Sequence, residues 1–344
     1  MNFSNSLLQW YLQNKRDLPW RKTTDAYPIW LSEIMLQQTR VAQGMPYFYA
    51  FMSIFPTVFD LAKADEEEVL KLWQGLGYYS RARNMHKTAQ IVAFELNGKF
   101  PNNYSDLLKL KGIGDYTAAA IASFAFNEVV PVVDGNVFRV LSRYFDVITD
   151  ISSTTAKKEF AALAKALMPF DNPALFNQAI MEFGALQCVP KNPNCKSCIF
   201  ATSCAALQKN KVNQLPVKTK KIKVTNRYFH YLVFEDDKKN TLLNKRTAKG
   251  IWHNLYEFPV IEAENPTSQE SIIEIIKTDF HAYNITDIFA YEDPILHKLS
   301  HQHLSISFYK VCVSNSLVNG IPLKTITSFP FPIVIFNFIE KYSI

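Results

Sequence analysis

Apolar side chains recur at three- and four-residue spacing through four stretches of the first two hundred residues, at 29–52, 66–77, 79–98 and 154–168. That period belongs to one face of a helix, so each stretch predicts an amphipathic helix, with short Gly, Pro and Asn breaks between them. From Thr225 the pattern changes to alternation with β-branched and aromatic runs. It predicts strands over 227–237, 241–246 and 304–313 and a helix over 268–283. A mainly helical front part is therefore followed by an α+β part with its own sheet. The polar segment 209–224, with Pro216 and four lysines between Lys218 and Lys223, predicts a solvated linker.

A chain of 344 residues is longer than one core comfortably fills, at roughly 250–300 residues, so two or three domains are expected. No run reaches the ~18 apolar residues of a membrane span, and the first twenty residues lack a signal-peptide core. The expectation is a soluble cytoplasmic monomer without membrane contact. The net charge of +6 is uneven: residues 1–224 carry 26 Lys and Arg against 18 Asp and Glu, the remainder 11 against 13. A basic front part suits a polyanion, nucleic acid included.

Four of the five cysteines, Cys188, Cys195, Cys198 and Cys204, fall within seventeen positions. In a reducing compartment such crowding favours metal over disulfide, and the spacing alone leaves iron–sulfur and zinc both open. Cys312 lies in an apolar strand and reads as a buried core thiol. Gly112 and Gly114 precede an Ala-rich helix, where a tight turn and exposed helix-start N–H groups suit either an interhelical turn or a phosphate. Asp134 stands just ahead of an amphipathic helix; as an N-cap at the positive end of the dipole, its carboxylate should stay ionised. Glu33 falls beside the apolar face of Leu31, Ile34 and Met35: left in water it is an ordinary solvated glutamate, whereas partly desolvated it would keep its proton near neutrality and could serve as a general acid.

The cysteine spacing resembles the 4Fe-4S loop of the endonuclease III superfamily of DNA glycosylases, and residues 108–126 resemble its helix-hairpin-helix. Residues 30–41, with 16–21 and 75–84, are similar to the MutY-type adenine DNA glycosylases, and 241–260 to their Nudix-like C-terminal domain. The resemblance implies a six-helix barrel with the hairpin at 18–128, a cluster domain at 1–17 and 129–208, the linker at 209–224 and a Nudix-like 8-oxoguanine reader at 225–344.

It also implies roles. Glu33 would protonate the flipped adenine and Asp134 would stabilise the sugar cation, with Tyr116 and Asn136 orienting the sugar and the carboxylates. A lyase branch of the superfamily carries a lysine where this chain has Tyr116, so no imine would form and the enzyme would be monofunctional. Gln38 and Tyr78 would enter the opened duplex, Arg16 and Arg83 would touch the backbone or opposite strand, Gly112 and Gly114 would receive a phosphate, and Ser300 and His301 would read the lesion. Relatives often have Phe-Ser-His where this chain has Leu299-Ser300-His301. The implied cofactor is a 4Fe-4S cluster, and the implied partner is double-stranded DNA with A opposite 8-oxoguanine or G. The competing readings are a thymine or other mismatch glycosylase on the same scaffold, a lesion-binding protein without turnover, and a nucleotide pyrophosphatase; against the last, Glu257, Glu262 and Glu264 have the wrong spacing for a Nudix metal site.

Overall fold

The computed structural model describes residues 2–219 and 223–344. Among the described residues twelve α-helices come first: α1 (Phe3–Asn14), α2 (Ala26–Leu36), α3 (Val41–Ile54), α4 (Val58–Lys63), α5 (Glu66–Leu72), α6 (Ser80–Gln90), α7 (Tyr104–Leu107), α8 (Asp115–Phe126), α9 (Gly135–Phe145), α10 (Thr154–Leu167), α11 (Pro173–Leu186) and α12 (Ala205–Gln208). Then follow β1 (Thr225–Glu235), β2 (Asn240–Thr241), β3 (Asn244–Lys245), β4 (Tyr256–Glu257), β5 (Val260–Ala263), α13 (Gln269–Asp279), β6 (Ile285–Ala290), β7 (Ile295–Lys298), β8 (Gln302–Val313), β9 (Ile321–Pro322) and α14 (Ile333–Tyr342). The helical front and the α+β back stand as the periodicity predicts. The stretch 29–52 is not one helix, because the chain turns between α2 and α3, with Gln38 in the left-handed region at φ 59°.

The chain divides into two compact units, Met1–Lys63 with Asn84–Lys220 and Ala64–Arg83 with Lys221–Ile344. Boundaries placed at 128 and 224 do not anticipate that 64–83 groups with the C-terminal part. Of the expected linker, residues 220–222 lie outside the described residues. Its front is no free tether: Leu215 is buried, Arg143 donates to the carbonyls of Val212 and Leu215, and Ile151 N–H donates to Val217 O. Backbone acceptors taken up by a buried guanidinium cannot remain solvated.

In the first unit, ten of the eleven residues of α2 are buried, as expected of a helix that is apolar on nearly every side. It packs on α8, whose alanines Ala118 to Ala120 and Ala122 leave room for close approach. A second core joins α1, α9, α10 and α11 through Leu7, Leu141, Phe160, Phe176 and Ile180. Where α11 crosses α9, a Cβ added at Gly184 would stand 2.6 Å from Asn136 Cβ and 3.0 Å from Asn136 O, so this crossing needs glycine.

In the second unit, the main sheet runs β5-β1-β8-β6, with β7 also on β8; β1 and β8 are parallel and the other pairs antiparallel. Both faces of β1 are covered, which explains its continuous apolar run. Leu232 and Phe234 pack with Val311 and Val313 against Ile272 and Ile276 of α13. On the opposite face Tyr231 stacks with Phe308, which stacks in turn on Phe338 of α14. Cys312 is a correction: alternation turns it away from the Val311 and Val313 side, and it is half-buried, outside that core.

His230 is buried on β1 with neither ring nitrogen partnered among the described residues, and burial pushes its pKa below the usual histidine value. The folded state therefore binds its proton less readily than the unfolded chain, so stability is lost as pH falls below about 6.5. In urea denaturation at pH 5 and pH 7.5, His230→Leu is expected to remove part of the acid destabilisation; an unchanged pH dependence would refute this. Gly184→Ala is expected to destabilise the first unit by about 1–3 kcal/mol despite alanine's better helix propensity, measured by the same denaturation at pH 7.5.

Candidate active site

Glu33 on α2 is only 6% exposed. Burial pushes its carboxyl up to about 7; the Tyr116 hydroxyl, hydrogen-bonded to it, and Arg21 pull the other way, while the charge of Asp134 adds to the rise. Tyr116, in the first turn of α8, is pushed well above the ordinary phenol value by burial and by the negative charges of Glu33 and Asp134. One turn beyond Glu33, Gln37 Nε2 donates to Thr117 Oγ1 at 3.0 Å, so α2 grips the start of α8 at two successive turns.

Asp134 caps α9. Its Oδ1 accepts the backbone N–H groups of Asn136 and Val137, both at 2.8 Å, and its Oδ2 accepts Asn136 Nδ2 at 2.7 Å. These bonds favour the anion, as the capping argument expects, yet burial outweighs them and raises the carboxyl above its usual value. Asn136 is itself held: Arg139 Nη2 donates to Asn136 Oδ1 and to Gly184 O, both at 2.7 Å, while Arg139 Nε donates to Cys188 O at 2.7 Å. The structure thus brings Glu33, Tyr116, Asp134 and Asn136 into one place. It holds two carboxyls in different settings: buried Glu33 keeps its proton near neutrality, and half-buried Asp134 faces three donors. Such a pair can supply a proton to a leaving group and a negative charge to a developing cation.

The four clustered cysteines, all half-buried, line one pocket with Arg143, Phe183 and Phe200. Arg143 Nη1 lies 3.4 Å from Cys188 Sγ, and Phe200 N–H donates to Cys198 Sγ at 3.4 Å. As they stand, no three His, Cys, Asp or Glu side chains among the described residues are gathered to hold a metal ion. The donor set nonetheless fits an iron–sulfur group: four thiols border a common apolar space, with N–H donors aimed at sulfur.

At the hairpin, Gly112 has φ 78° and a Cβ there would lie 2.7 Å from Asn84 Cβ, while Gly114 caps α8 with open space around it and no side-chain cap. Thr88 Oγ1 donates to Lys111 O at 2.6 Å and pins the turn. Gln38 is exposed in its left-handed turn. Tyr78 of the second unit is also left-handed, at φ 48°, and 50% exposed, an uncommon conformation for a bulky residue. Its hydroxyl is hydrogen-bonded to Ser300 Oγ. Ser300 and His301 form the exposed turn between β7 and β8, closed by Leu299 N–H on Gln302 O at 2.8 Å.

Two expected DNA contacts are otherwise engaged. Arg16 gives its Nε, Nη2 and backbone N–H to Glu182, at 2.8, 2.6 and 2.9 Å, and Arg21 Nη2 joins at 2.8 Å. Glu182 is 1% exposed, so this fork balances a buried charge, and the arginines hold its carboxyl at about 2. Arg83 Nη1 donates to His253 O at 2.7 Å, within the second unit. The sequence reading missed Glu182, Arg139 and Arg143. The signal was present: Glu182 is a lone charge in an apolar helix, and Arg139 and Arg143, four apart, flank Val140 and Leu141 on α9. In the back domain Glu257 is locked by Arg246 Nη1 at 2.7 and 2.8 Å and by the Tyr231 hydroxyl at 2.9 Å.

Comparison with known proteins agrees with this layout. Residues 31–167 match the HhH-GPD superfamily of base excision DNA repair proteins, and 230–341 match the NUDIX domain. An adenine DNA glycosylase of Buchnera aphidicola subsp. Schizaphis graminum is 37% identical, over 88% of this chain and 86% of that relative. A thermostable thymine-DNA glycosylase is similar in structure at TM-score 0.56 and 30% identity, over 60% of this chain and 95% of the other. Endonuclease III, in a trapped covalent DNA intermediate, has the same fold at TM-score 0.53 and 22% identity, over 60% of this chain and 94% of the other. The thymine enzyme parallels only part of the chain, whereas the adenine enzyme matches along most of it. The chain therefore belongs to the adenine DNA glycosylases, base excision repair enzymes that remove adenine from DNA, with a helix-hairpin-helix catalytic region and a Nudix-like region behind it.

Proposed function

We propose that this chain excises adenine paired with 8-oxoguanine or G in duplex DNA, and that it breaks the N-glycosidic bond alone. The observation that carries the reading is Glu33, buried against Tyr116 with its carboxyl near 7, within electrostatic reach of Asp134. Adenine leaves the stack at a cost of a few kcal/mol, lowest at a mismatch. Glu33 in its protonated form donates to the base and makes it a better leaving group. Asp134, fixed by Asn136 and two backbone N–H groups, stabilises the cationic sugar, and Glu33, now ionised, then accepts a proton from the attacking water. Tyr116 orients Glu33 and offers no amine for an imine.

The 8-oxoguanine strand is assigned to the second unit. The exposed turn of Ser300 and His301, bonded through Ser300 to Tyr78, supports that assignment, and Leu299 leaves the turn without the stacking ring that relatives often carry there. Gln38 and Tyr78 hold the duplex open as exposed, left-handed residues, and the Gly112 to Gly114 turn receives a phosphate at the start of α8. Cys188, Cys195, Cys198 and Cys204 would hold a 4Fe-4S cluster, which would brace this end of the first unit and do no chemistry on the base.

In single-turnover assays on duplexes with A opposite 8-oxoguanine, Glu33→Gln is expected to slow base release by about 10²–10⁴-fold. The wild-type rate should level off below pH 7 and fall towards tenfold per unit above it, because the acid form of Glu33 is the active one; full activity of the variant, or a flat profile, overturns the assignment. Iron and sulfide analysis of the purified chain should find both, together with a visible absorption band, and Cys198→Ser should lose them. Zinc in their place would refute the cluster.

A further inference from the structure

Arg143 on α9 is a cation kept out of water, at 3% exposed, and no carboxylate pairs with it among the described residues. Its partners come from two stretches of chain. Nη1 donates to Val189 O at 2.8 Å and lies 3.4 Å from Cys188 Sγ, and Nη2 donates to Pro190 O at 3.0 Å. Nε donates to Val212 O at 2.9 Å and to Leu215 O at 3.1 Å. One flat, rigid fork therefore serves the start of the cysteine loop with two nitrogens and the front of the linker with the third.

Carbonyl dipoles solvate such a cation but do not neutralise it, and a buried charge without a counter-charge is costly. Arg21 and Arg246 each have a carboxylate for this, Glu182 and Glu257. For Arg143 the atom in that place is Cys188 Sγ. A cysteine bound to iron is a thiolate, and four of them around an iron–sulfur core leave a net negative charge. The linker front has little else of comparable strength. Lys209 and Lys211 pair with Asp146 at 2.8 and 3.0 Å through ammonium groups that water reaches, and Thr219 meets Asp150 at the surface; such contacts contribute little. Leu215 is buried, and Ile151 N–H donates to Val217 O at 3.0 Å, both within two residues of a carbonyl that Arg143 holds.

We propose that Arg143 makes the front of the linker a dependent part of the cluster site, an inference that rests on the cluster reading above. With the cluster's charge beside it the guanidinium stays buried and holds both stretches. Without that charge the cation turns to water, and Val212 to Val217 come away from the first unit. The chain joining the two units then gains free length, so protein that lacks its cluster carries the second unit on a longer tether.

Hydrogen exchange of the full chain, read by mass spectrometry with iron measured on the same samples, tests this in wild type, Cys198→Ser, Arg143→Lys and Leu215→Ala. The reporters are the Ile151 amide, bonded to Val217 O, and the Gln214 amide, bonded to Lys211 O at 2.9 Å; the amides of α2 report the fold. Exchange of both reporters is expected to rise about tenfold or more in iron-free Cys198→Ser and in Arg143→Lys, which keeps the charge and loses the fork, with α2 unchanged. Coupling is reciprocal, so Leu215→Ala, whose side chain is outside the cysteine pocket, should lose iron to a chelator about fivefold faster than wild type or more. Should Arg143→Lys fail to fold, Cys198→Ser and Leu215→Ala decide. Reporters as protected in iron-free Cys198→Ser or in folded Arg143→Lys as in wild type, a rise shared equally by α2, or iron loss from Leu215→Ala at the wild-type rate overturns the proposal and leaves the cluster reading standing. Wild-type protein without iron overturns both.

Discussion

The carboxylate of Asp134 is half-buried and must be given donors, and much of the first unit is organised by how that is done. A buried acceptor left unpaired costs about 1–3 kcal/mol, more when charged. Here the first turn of α9 supplies two backbone N–H groups and Asn136 a third donor. Asn136 cannot rotate away, because Arg139 holds its oxygen while also tying down Gly184 O and Cys188 O. The glycine at the α11 crossing follows from the same demand: any Cβ at Gly184 would displace Asn136 and, through it, the carboxylate.

Glu33 is treated in the opposite way. It sits in the middle of a helix, where no backbone N–H is free to reach it, and its partner Tyr116 is a phenol whose own proton is hard to remove. Burial is then the largest influence on its proton. Glu182 marks the third possibility for a buried acid: two arginines surround it and keep it ionised at about 2. Three acids in one helical unit thus span the range from firmly charged to near-neutral according to what each faces.

In the second unit the parallel pairing of β1 with β8 lets helices cover both faces of the sheet, α13 on one and α14 on the other. The β7–β8 hairpin projects from this covered sheet, so its turn is exposed while its base is firmly set. Tyr78, in a segment from the helical half of the sequence, is fastened to that turn through Ser300. A strained, half-exposed tyrosine can persist there because the neighbouring Arg81 guanidinium, over its ring and bonded to the carbonyls of Leu76 and Gly77, over-determines the loop.

Periodicity alone told helix from sheet, placed the change of texture at Thr225, and marked Glu33 as a carboxyl on an apolar face and Asp134 as a cap, since each of these depends on residues within one or two turns of each other. The cysteine spacing and the two glycines were legible for the same reason. Other features depend on pairs far apart in the chain: Arg16 and Arg21 on Glu182, Arg139 on Gly184 and Cys188, Tyr78 on Ser300, and residues 64–83 with the C-terminal part. An arginine looks the same in a sequence whether it faces a phosphate or a buried carboxylate, and only the folded chain supplies the partner. So the sequence by itself determined which side chains are candidates for the site, through local pattern; the tertiary structure decided their charge states and attachments, because burial and long-range pairing, not residue type, set the free energy of an ionised group.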